Sequence, residues 1–89
     1  MAARIEVAIA DKNPVVRAGL ENLIEKDGRF SINGLFSAGA PLLDQFVKKP
    51  AQIAVVGWSL PDMDGGAILG EIKKQKLPTR VVIYTGETG

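Results

Sequence analysis

The sequence contains no cysteine and no histidine among its 89 residues. Without cysteine, the chain has no disulfide framework, no thiol nucleophile and no cysteine-ligated zinc site. Without histidine, it lacks the commonest general base and the commonest ligand of transition metals, which excludes Ser-His-Asp hydrolases and two-histidine metalloproteases. Any metal bound here would be held by oxygen ligands, as Mg²⁺ is.

Long apolar runs and an excess of charge of one sign are missing as well. No run approaches the ~20 apolar residues that span a bilayer, and residues 1–6 lack the charged-then-apolar layout of a signal peptide. Eleven Lys and Arg against ten Asp and Glu give a net charge of +1, whereas a nucleic-acid binder needs clustered positive charge. We therefore expect a cytoplasmic protein whose 89 residues contact neither membrane nor DNA.

Apolar runs and amphipathic stretches alternate along the chain, in a composition that is 46% hydrophobic and 24% charged. Four runs read as strands, because they are short, apolar and bounded by turn residues. They cover residues 5–10, 30–36, 53–56 and 80–84. The intervening stretches have the spacing of helices, and the resulting βαβαβαβ order predicts one α/β domain built on a parallel sheet.

The first helix is the most clearly marked of the three. Asn13 is its expected N-cap, Pro14 its first residue and Gly28 its left-handed C-cap. Helical spacing places four apolar side chains on the face of this helix that is expected to pack, with charged residues left for water; the four are Val16, Leu20, Leu23 and Ile24.

The second and third helices are shorter. The second is expected to open at Pro41 and to end at Lys48-Lys49-Pro50, with an inner face of Leu42, Leu43, Phe46 and Val47. The third is expected to follow Asp64 as its N-cap and to run to about Lys76, with Ile68, Leu69 and Ile72 inside.

Several separated segments resemble one family. Residues 60–65 match the last six positions of the loop Asp-x-x-Met-Pro-x-Met-Asp-Gly that follows the third strand of bacterial response regulator receiver domains. Residues 13–17 are similar to the segment after that family's first strand, and residues 82–85 to the end of its fourth. Residues 14–20 and 30–34 are most similar to receivers that precede a LuxR-type helix-turn-helix.

The resemblance implies the fold of the CheY-like receivers. It is a flavodoxin-like, doubly wound parallel sheet, here with strand order 2-1-3-4. Residues 1–89 would form an incomplete receiver-like domain running from the first to the fourth strand, with the fifth strand and the last helices missing from this chain.

The resemblance also implies a chemistry, from which the sequence departs. In the family a histidine kinase phosphorylates a carboxylate at the end of the third strand, beside Mg²⁺ held by two acidic residues. Here the acceptor position is Gly57, which has no side chain, and the acidic pair is reduced to Asp11 followed by Lys12. Thr85 matches the family's switch hydroxyl. We expect a degenerate receiver with no enzymatic activity and a lost Mg²⁺ site, for which Asp11 is the only remaining ligand.

Alternatives stay open at each of these positions. Asp11 is either a remnant of the acidic pocket or a turn residue favoured by the positive end of the first helix. Lys12 is either a built-in cation paired with Asp11 or a solvated loop lysine. Thr85 is either a surviving switch hydroxyl or an ordinary residue at a strand end. Asp62 and Asp64 are candidate substitute acceptors, although Asp64 is expected to cap a helix and Asp62 to point into solvent.

Two further features have a functional and a structural interpretation. Trp58 either closes over the pocket that phosphate would fill or packs beneath the following helix. Four basic residues form either an interaction patch or a solvated helix face, namely Lys73, Lys74, Lys76 and Arg80.

The function that follows is a receiver-like module that is not phosphorylated and acts through protein contacts. It would form the N-terminal part of a bacterial two-component-type transcriptional regulator, with DNA bound only by a downstream domain absent from this chain. The alternative is a small-ligand sensor that uses the pocket at the carboxyl ends of the strands, where Asp11, Gly57 and Thr85 converge.

The fourth strand generates a prediction about association. As an apolar edge, residues 80–84 offer unpaired backbone groups to another chain. We expect the 89-residue chain to self-associate, or to be poorly stable until a protein partner covers this edge. Sedimentation and thermal unfolding measure both properties, and a monodisperse monomer that melts cooperatively would contradict the prediction.

Overall fold

The computed structural model describes residues 4–84, in which four strands alternate with three helices. The strands are Ile5–Ala10 (β1), Phe30–Phe36 (β2), Ile53–Gly57 (β3) and Arg80–Tyr84 (β4). The helices are Pro14–Lys26 (α1), Gly39–Lys48 (α2) and Gly65–Lys74 (α3). The strands pair in parallel in the order β2-β1-β3-β4. The predicted α/β doubly wound sheet is confirmed.

The main core lies between one face of the sheet and the helices α2 and α3. On this face β1 and β3 carry small side chains, and Ala8, Ala10 and Ala54 are fully buried. Small residues let the helices approach the strands closely, and larger side chains from the helices fill the remaining space. These are Leu42 and Phe46 from α2 and Ile68 and Ile72 from α3.

Helix α1 covers the opposite face only in part. Its main contacts are with β1 and β2, and it contains no buried residue. Leu23, expected among its packed apolar residues, is 66% exposed. Val82 in β4 is 52% exposed, because α1 does not extend over that strand among the described residues. The amphipathic pattern of α1 therefore overstates how much of its face is packed.

The predicted N-cap of α1 is confirmed, whereas its predicted C-cap is wrong. Asn13 is the N-cap, as predicted, and its side-chain oxygen accepts from the backbone N–H of Val15 at 2.9 Å. Gly28 was expected to be a left-handed C-cap, which is wrong: the cap is Asp27, with φ −87°, and Gly28 does not adopt a left-handed φ. The Asp27 carboxylate accepts from the backbone and guanidinium of Arg29, and this local turn ends the helix without a glycine.

Strand β2 contains a bulge at Asn33. The register against β1 pairs Val7 with Ile32 but Ala8 with Gly34, so Asn33 has no partner residue. Gln45 of α2 donates to the Asn33 backbone carbonyl at 3.1 Å and to its side-chain oxygen at 2.5 Å. Partly buried hydrogen bonds from a helix thus stabilise the irregular point of the strand.

The loop between β3 and α3 is seated on the start of α2. The carboxylate of Asp62 accepts from the backbone N–H groups of Gly39 and Ala40, both at 2.8 Å. A side chain at Gly39 would collide with Met63, since an added Cβ would lie 2.5 Å from its Cγ. This capping starts α2 at Gly39, two residues before the predicted Pro41.

Two other helix predictions need correction. Val47, expected inside, is exposed on α2. Helix α3 follows Asp64 as its N-cap, as predicted, but ends at Lys74 and not near Lys76. Lys76 takes a left-handed φ of 55°, and the N–H of Leu77 bonds the carbonyl of Ile72 at 3.0 Å. This Schellman-type ending is usually marked by glycine, so a lysine at its left-handed position concealed it.

Within the described residues, no helix has the length and apolar character needed to cross a membrane.

Replacing leucine at two positions tests the unequal packing of the two faces. Leu42→Ala should lower the free energy of unfolding by about 2–5 kcal/mol, because Leu42 is fully buried in the core. Leu23→Ala should change it by only about 0.5 kcal/mol, because its side chain is largely in solvent. Urea unfolding of both variants measures the difference, and equal losses would contradict the described packing.

Replacing Asp62 tests the link between the loop and α2. Its bonds to the N–H groups of Gly39 and Ala40 hold the pKa of Asp62 below 3.8, so its contribution to stability is present above that pH and is lost as the pH falls through the lowered pKa. Asp62→Ala should therefore unfold at lower urea than the parent at neutral pH, and the difference should shrink at acid pH.

The matched control is Asp44→Ala, which removes an exposed carboxylate from α2, the helix that Asp62 caps. It should leave the unfolding midpoint close to that of the parent. If the two variants behaved alike at neutral pH, Asp62 would not be the cap of α2.

Candidate functional site

Three strand ends meet at the carboxyl edge of the sheet. Asp11 follows β1, Gly57 ends β3 and Tyr84 ends β4. The register places Gly57 directly opposite Tyr84. Parallel strands bring their carboxyl ends to one edge, which is where open α/β sheets carry their sites. The structure therefore brings together Asp11 and Gly57, as the sequence predicted, and adds Tyr84.

Gly57 is buried between its two neighbours. A Cβ atom built on Gly57 would lie 2.7 Å from Oδ2 of Asp11 and 3.5 Å from the hydroxyl oxygen of Tyr84. The first distance is closer than real Cβ contacts, so a side chain here would displace the carboxylate. Asp11 and Tyr84 therefore take up the room that a side chain at position 57 would need.

Asp11 is 9% exposed and both of its carboxylate oxygens are hydrogen-bonded. Oδ1 accepts from the backbone N–H of Asn13 at 2.7 Å, and Oδ2 accepts from the hydroxyl of Tyr84. Arg17 donates from Nη1 to the backbone carbonyl of Asp11 at 2.6 Å. These bonds fix the carboxylate on the turn between β1 and α1 and point it across β3.

The Tyr84 phenol is adapted to act as a hydrogen-bond donor. Burial raises the pKa of Tyr84 above its usual value of 10, and both the hydrogen bond to Asp11 and the negative charge of that carboxylate raise this pKa further. A neutral phenol can donate, whereas a phenolate beside a carboxylate would repel it. At neutral pH Tyr84 is therefore protonated.

Lys12 does not pair with Asp11. Its side chain is exposed, and the ion pairs found within residues 4–84 are Arg29 with Asp27 and Lys49 with Glu6. Because the Asp11 carboxylate turns inward toward Tyr84, it lies away from the lysine that follows it. The structure thus favours the solvated loop lysine over the built-in cation.

The residues at this edge do not fit the Mg²⁺ site that the resemblance implies. Position 12 is a lysine, position 57 has no side chain, and both oxygens of Asp11 are used by protein donors. Within the part of the chain that is described, no three acidic side chains come close enough together to hold a metal ion. The absence of a cofactor stays a prediction.

The other predicted site residues lie apart from this cluster or outside the described part of the chain. Asp62 is exposed, as expected, and both of its oxygens also accept from the start of α2. Asp64 caps α3, accepting from the N–H of Ala67 at 2.8 Å. Thr85 lies outside the described residues, so its role as switch hydroxyl stays a prediction.

Trp58 and the basic residues occupy exposed positions. Trp58 is 45% exposed, and its ring lies beside Gly66 at the start of α3, 3.4 Å from where a Cβ of that glycine would be. The interpretation in which Trp58 is buried beneath the helix is therefore wrong. The four basic residues are all exposed, as either interpretation of them requires; they are Lys73, Lys74, Lys76 and Arg80.

Sequence reasoning missed Tyr84 as a site residue. It was assigned only to an apolar strand, because an aromatic residue is common there. A signal was nevertheless present: the loss of a side chain at Gly57 leaves space beside the end of a neighbouring strand, and Tyr84 is a large polar-tipped residue at that end. The contact joins residues 73 positions apart.

Comparison with known proteins places the chain among signalling domains. The family model for the response regulator receiver domain matches residues 7–89. The probable transcriptional regulatory protein SgaR of Hyphomicrobium methylovorum is 55% identical over 87 residues, which are 98% of this chain and 41% of that protein. The chain thus spans less than half the length of this curated relative.

Two solved structures share the fold. The NarL signal receiver domain from Mycobacterium tuberculosis superposes with a TM-score of 0.93 and 23% identity, covering 99% of this chain and 71% of that one. A DNA-binding response regulator of the LuxR family from Staphylococcus aureus gives 0.88 and 24%, covering 96% and 71%.

The family match spans most of the chain, and it agrees with the strand order and with the loop at residues 60–65 that the sequence shares with receivers. The chain belongs to the response regulator receiver domain family.

Proposed function

We propose that this chain is a receiver-type module of a transcriptional regulator, and that it acts through protein contacts without being phosphorylated. The observation that carries the proposal is Gly57 at the acceptor position, with the Asp11 carboxylate occupying the space beside it. An acyl phosphate needs a carboxylate oxygen as nucleophile, and glycine offers none.

The neighbouring carboxylates are poor substitutes because they are already engaged. Asp11 would lose its bond from Tyr84 on phosphorylation, which would leave a partly buried phenol without its partner. Asp62 uses both oxygens on the start of α2. Asp64 uses one oxygen to cap α3. Each would have to give up a structural role to act as nucleophile.

The link to transcription rests on the relatives. SgaR is named as a transcriptional regulatory protein, and the chain spans 41% of its length. We infer that the rest of such a protein carries the DNA-binding function, since these 89 residues have a net charge of only +1. A cytoplasmic location and the lack of an enzymatic activity are part of the same proposal.

Exposed apolar side chains support a function in protein contact. Val15 and Leu23 on α1 and Val82 on β4 are all largely exposed. Strand β4 also lies at the end of the strand order, with no further strand paired to it among the described residues. Surfaces of this kind mark sites where another protein segment or a second copy binds.

The small-ligand alternative has no specific contact in its favour. It required free space beside Gly57, and that space holds the Asp11 carboxylate and the Tyr84 hydroxyl. We therefore propose only the protein-contact function.

Incubation with acetyl phosphate and Mg²⁺ tests the proposal. The intact mass should show no increase of about 80 Da, the mass of a phosphoryl group, because no free carboxylate occupies the acceptor position. A receiver domain that carries aspartate at the acceptor position is the positive control and should gain that mass.

A stoichiometric adduct on this chain would overturn the proposal. Repeating the reaction with Asp11→Asn, Asp62→Asn and Asp64→Asn would then identify the acceptor, since only one of the variants should lose the adduct.

A further inference from the structure

The ends of β1 and β4 are joined by a hydrogen bond that passes over β3. The Tyr84 hydroxyl donates to Oδ2 of Asp11, although β3 lies between the two strands in the sheet. Gly57 is the residue of β3 directly beneath this bond, because it pairs with Tyr84 in the register. A Cβ at that position would lie 2.7 Å from Oδ2 of Asp11 and 3.5 Å from the Tyr84 hydroxyl oxygen, so the lack of a side chain leaves room for the bond.

We propose that Tyr84 and Asp11 form an internal latch over Gly57 that holds the carboxyl edge of the sheet in one arrangement without a phosphoryl group. This Asp11–Tyr84 latch rests on the proposed function, since it describes how a receiver fold that is not phosphorylated keeps its site closed. It assigns a positioning role to Tyr84.

Asp11 is held firmly enough to serve as the fixed half of the latch. Its second carboxylate oxygen accepts from the N–H of Asn13 at 2.7 Å, and its carbonyl accepts from Arg17 at 2.6 Å. Asn13 is also the N-cap of α1. The latch therefore connects β4 to the turn and the helix that follow β1, because Asp11 is also bonded to Asn13 and Arg17.

The charges around the latch favour its closed form. The carboxylate of Asp11 faces the neutral phenol of Tyr84. The guanidinium of Arg17 binds the backbone carbonyl of Asp11 rather than its carboxylate, and Lys12 is exposed. The phenol is thus the side-chain donor on Oδ2. A hydrogen bond to an ionised acceptor is stronger than one between neutral groups.

The latch also predicts the effect of restoring a side chain at position 57. A Cβ there would lie 2.7 Å from Oδ2 of Asp11, so the carboxylate would have to shift, which should weaken or break the bond from Tyr84. Gly57→Ala should therefore open the latch with one methyl group, and Gly57→Asp would add like charge to the same crowding.

The ionisation of Tyr84 tests the latch, and Tyr84 is the only tyrosine in the 89 residues. Ultraviolet absorbance of the phenolate as the pH rises reads this residue alone. In the parent chain Tyr84 should ionise above the usual value of 10. In Asp11→Asn and in Gly57→Ala its ionisation should move back toward that value, whereas Asp44→Asn, which changes an exposed carboxylate on α2, should leave it unchanged.

A second measurement at neutral pH does not depend on stability in alkali. Hydrogen exchange should show the amides of Asp11 and Trp58 exchanging about five- to tenfold faster in Tyr84→Phe than in the parent, the factor expected for the loss of one hydrogen bond. The exchange of amides in α2 should not change.

Two results would overturn the latch. One is a parent Tyr84 that ionises at the usual value while the chain is folded by circular dichroism. The other is unchanged exchange at Asp11 and Trp58 in Tyr84→Phe, which applies even if Gly57→Ala does not fold. Neither result would contradict the proposed lack of phosphorylation. A phosphoryl adduct on the parent would contradict that proposal, and the Tyr84 titration would still test the latch.

Discussion

The pairing of β1 with β3 is the contact on which the rest of the structure depends. These strands lie in the middle of the sheet, and the alanines at 8, 10 and 54 leave one face flat enough for α2 and α3 to pack closely. The same pairing brings the turn after β1 beside the end of β3. Packing at the core thus determines where Asp11 and Gly57 meet, and the site is a direct product of the sheet register.

Much of this fold could be predicted from the sequence because the signals are local. The alternation of short apolar runs and helical spacing gave all four strands, with β3 one residue longer than expected, and the N-caps Asn13 and Asp64 were also correct. The errors arose where the deciding partner lies elsewhere. Helix α2 begins early because Asp62, 23 residues from Gly39, caps it. The exposure of Leu23 depends on how much of α1 the rest of the chain covers, which helical spacing alone does not show.

The candidate site likewise has one part that the sequence predicts and one part that only the structure shows. The absence of a side chain at Gly57 is visible in the sequence and needs no coordinates. What fills the space does need them, because Tyr84 and Asp11 are 73 residues apart and meet only through the register of three strands. Lys12 and Asp11 show the opposite case: they are adjacent in sequence, but the carboxylate of Asp11 points inward to Tyr84 and away from the lysine.

The crowding over Gly57 has a consequence for how this domain can change in evolution. A side chain can be introduced at position 57 without strain only if Asp11 moves or is replaced, because an added Cβ would lie 2.7 Å from its carboxylate oxygen. A substitution at position 57 therefore requires either a shift of the Asp11 side chain or a second substitution beside it. Positions 11, 57 and 84 are thus coupled by direct contact, and a side chain at position 57 is accommodated best when Asp11 or Tyr84 changes with it.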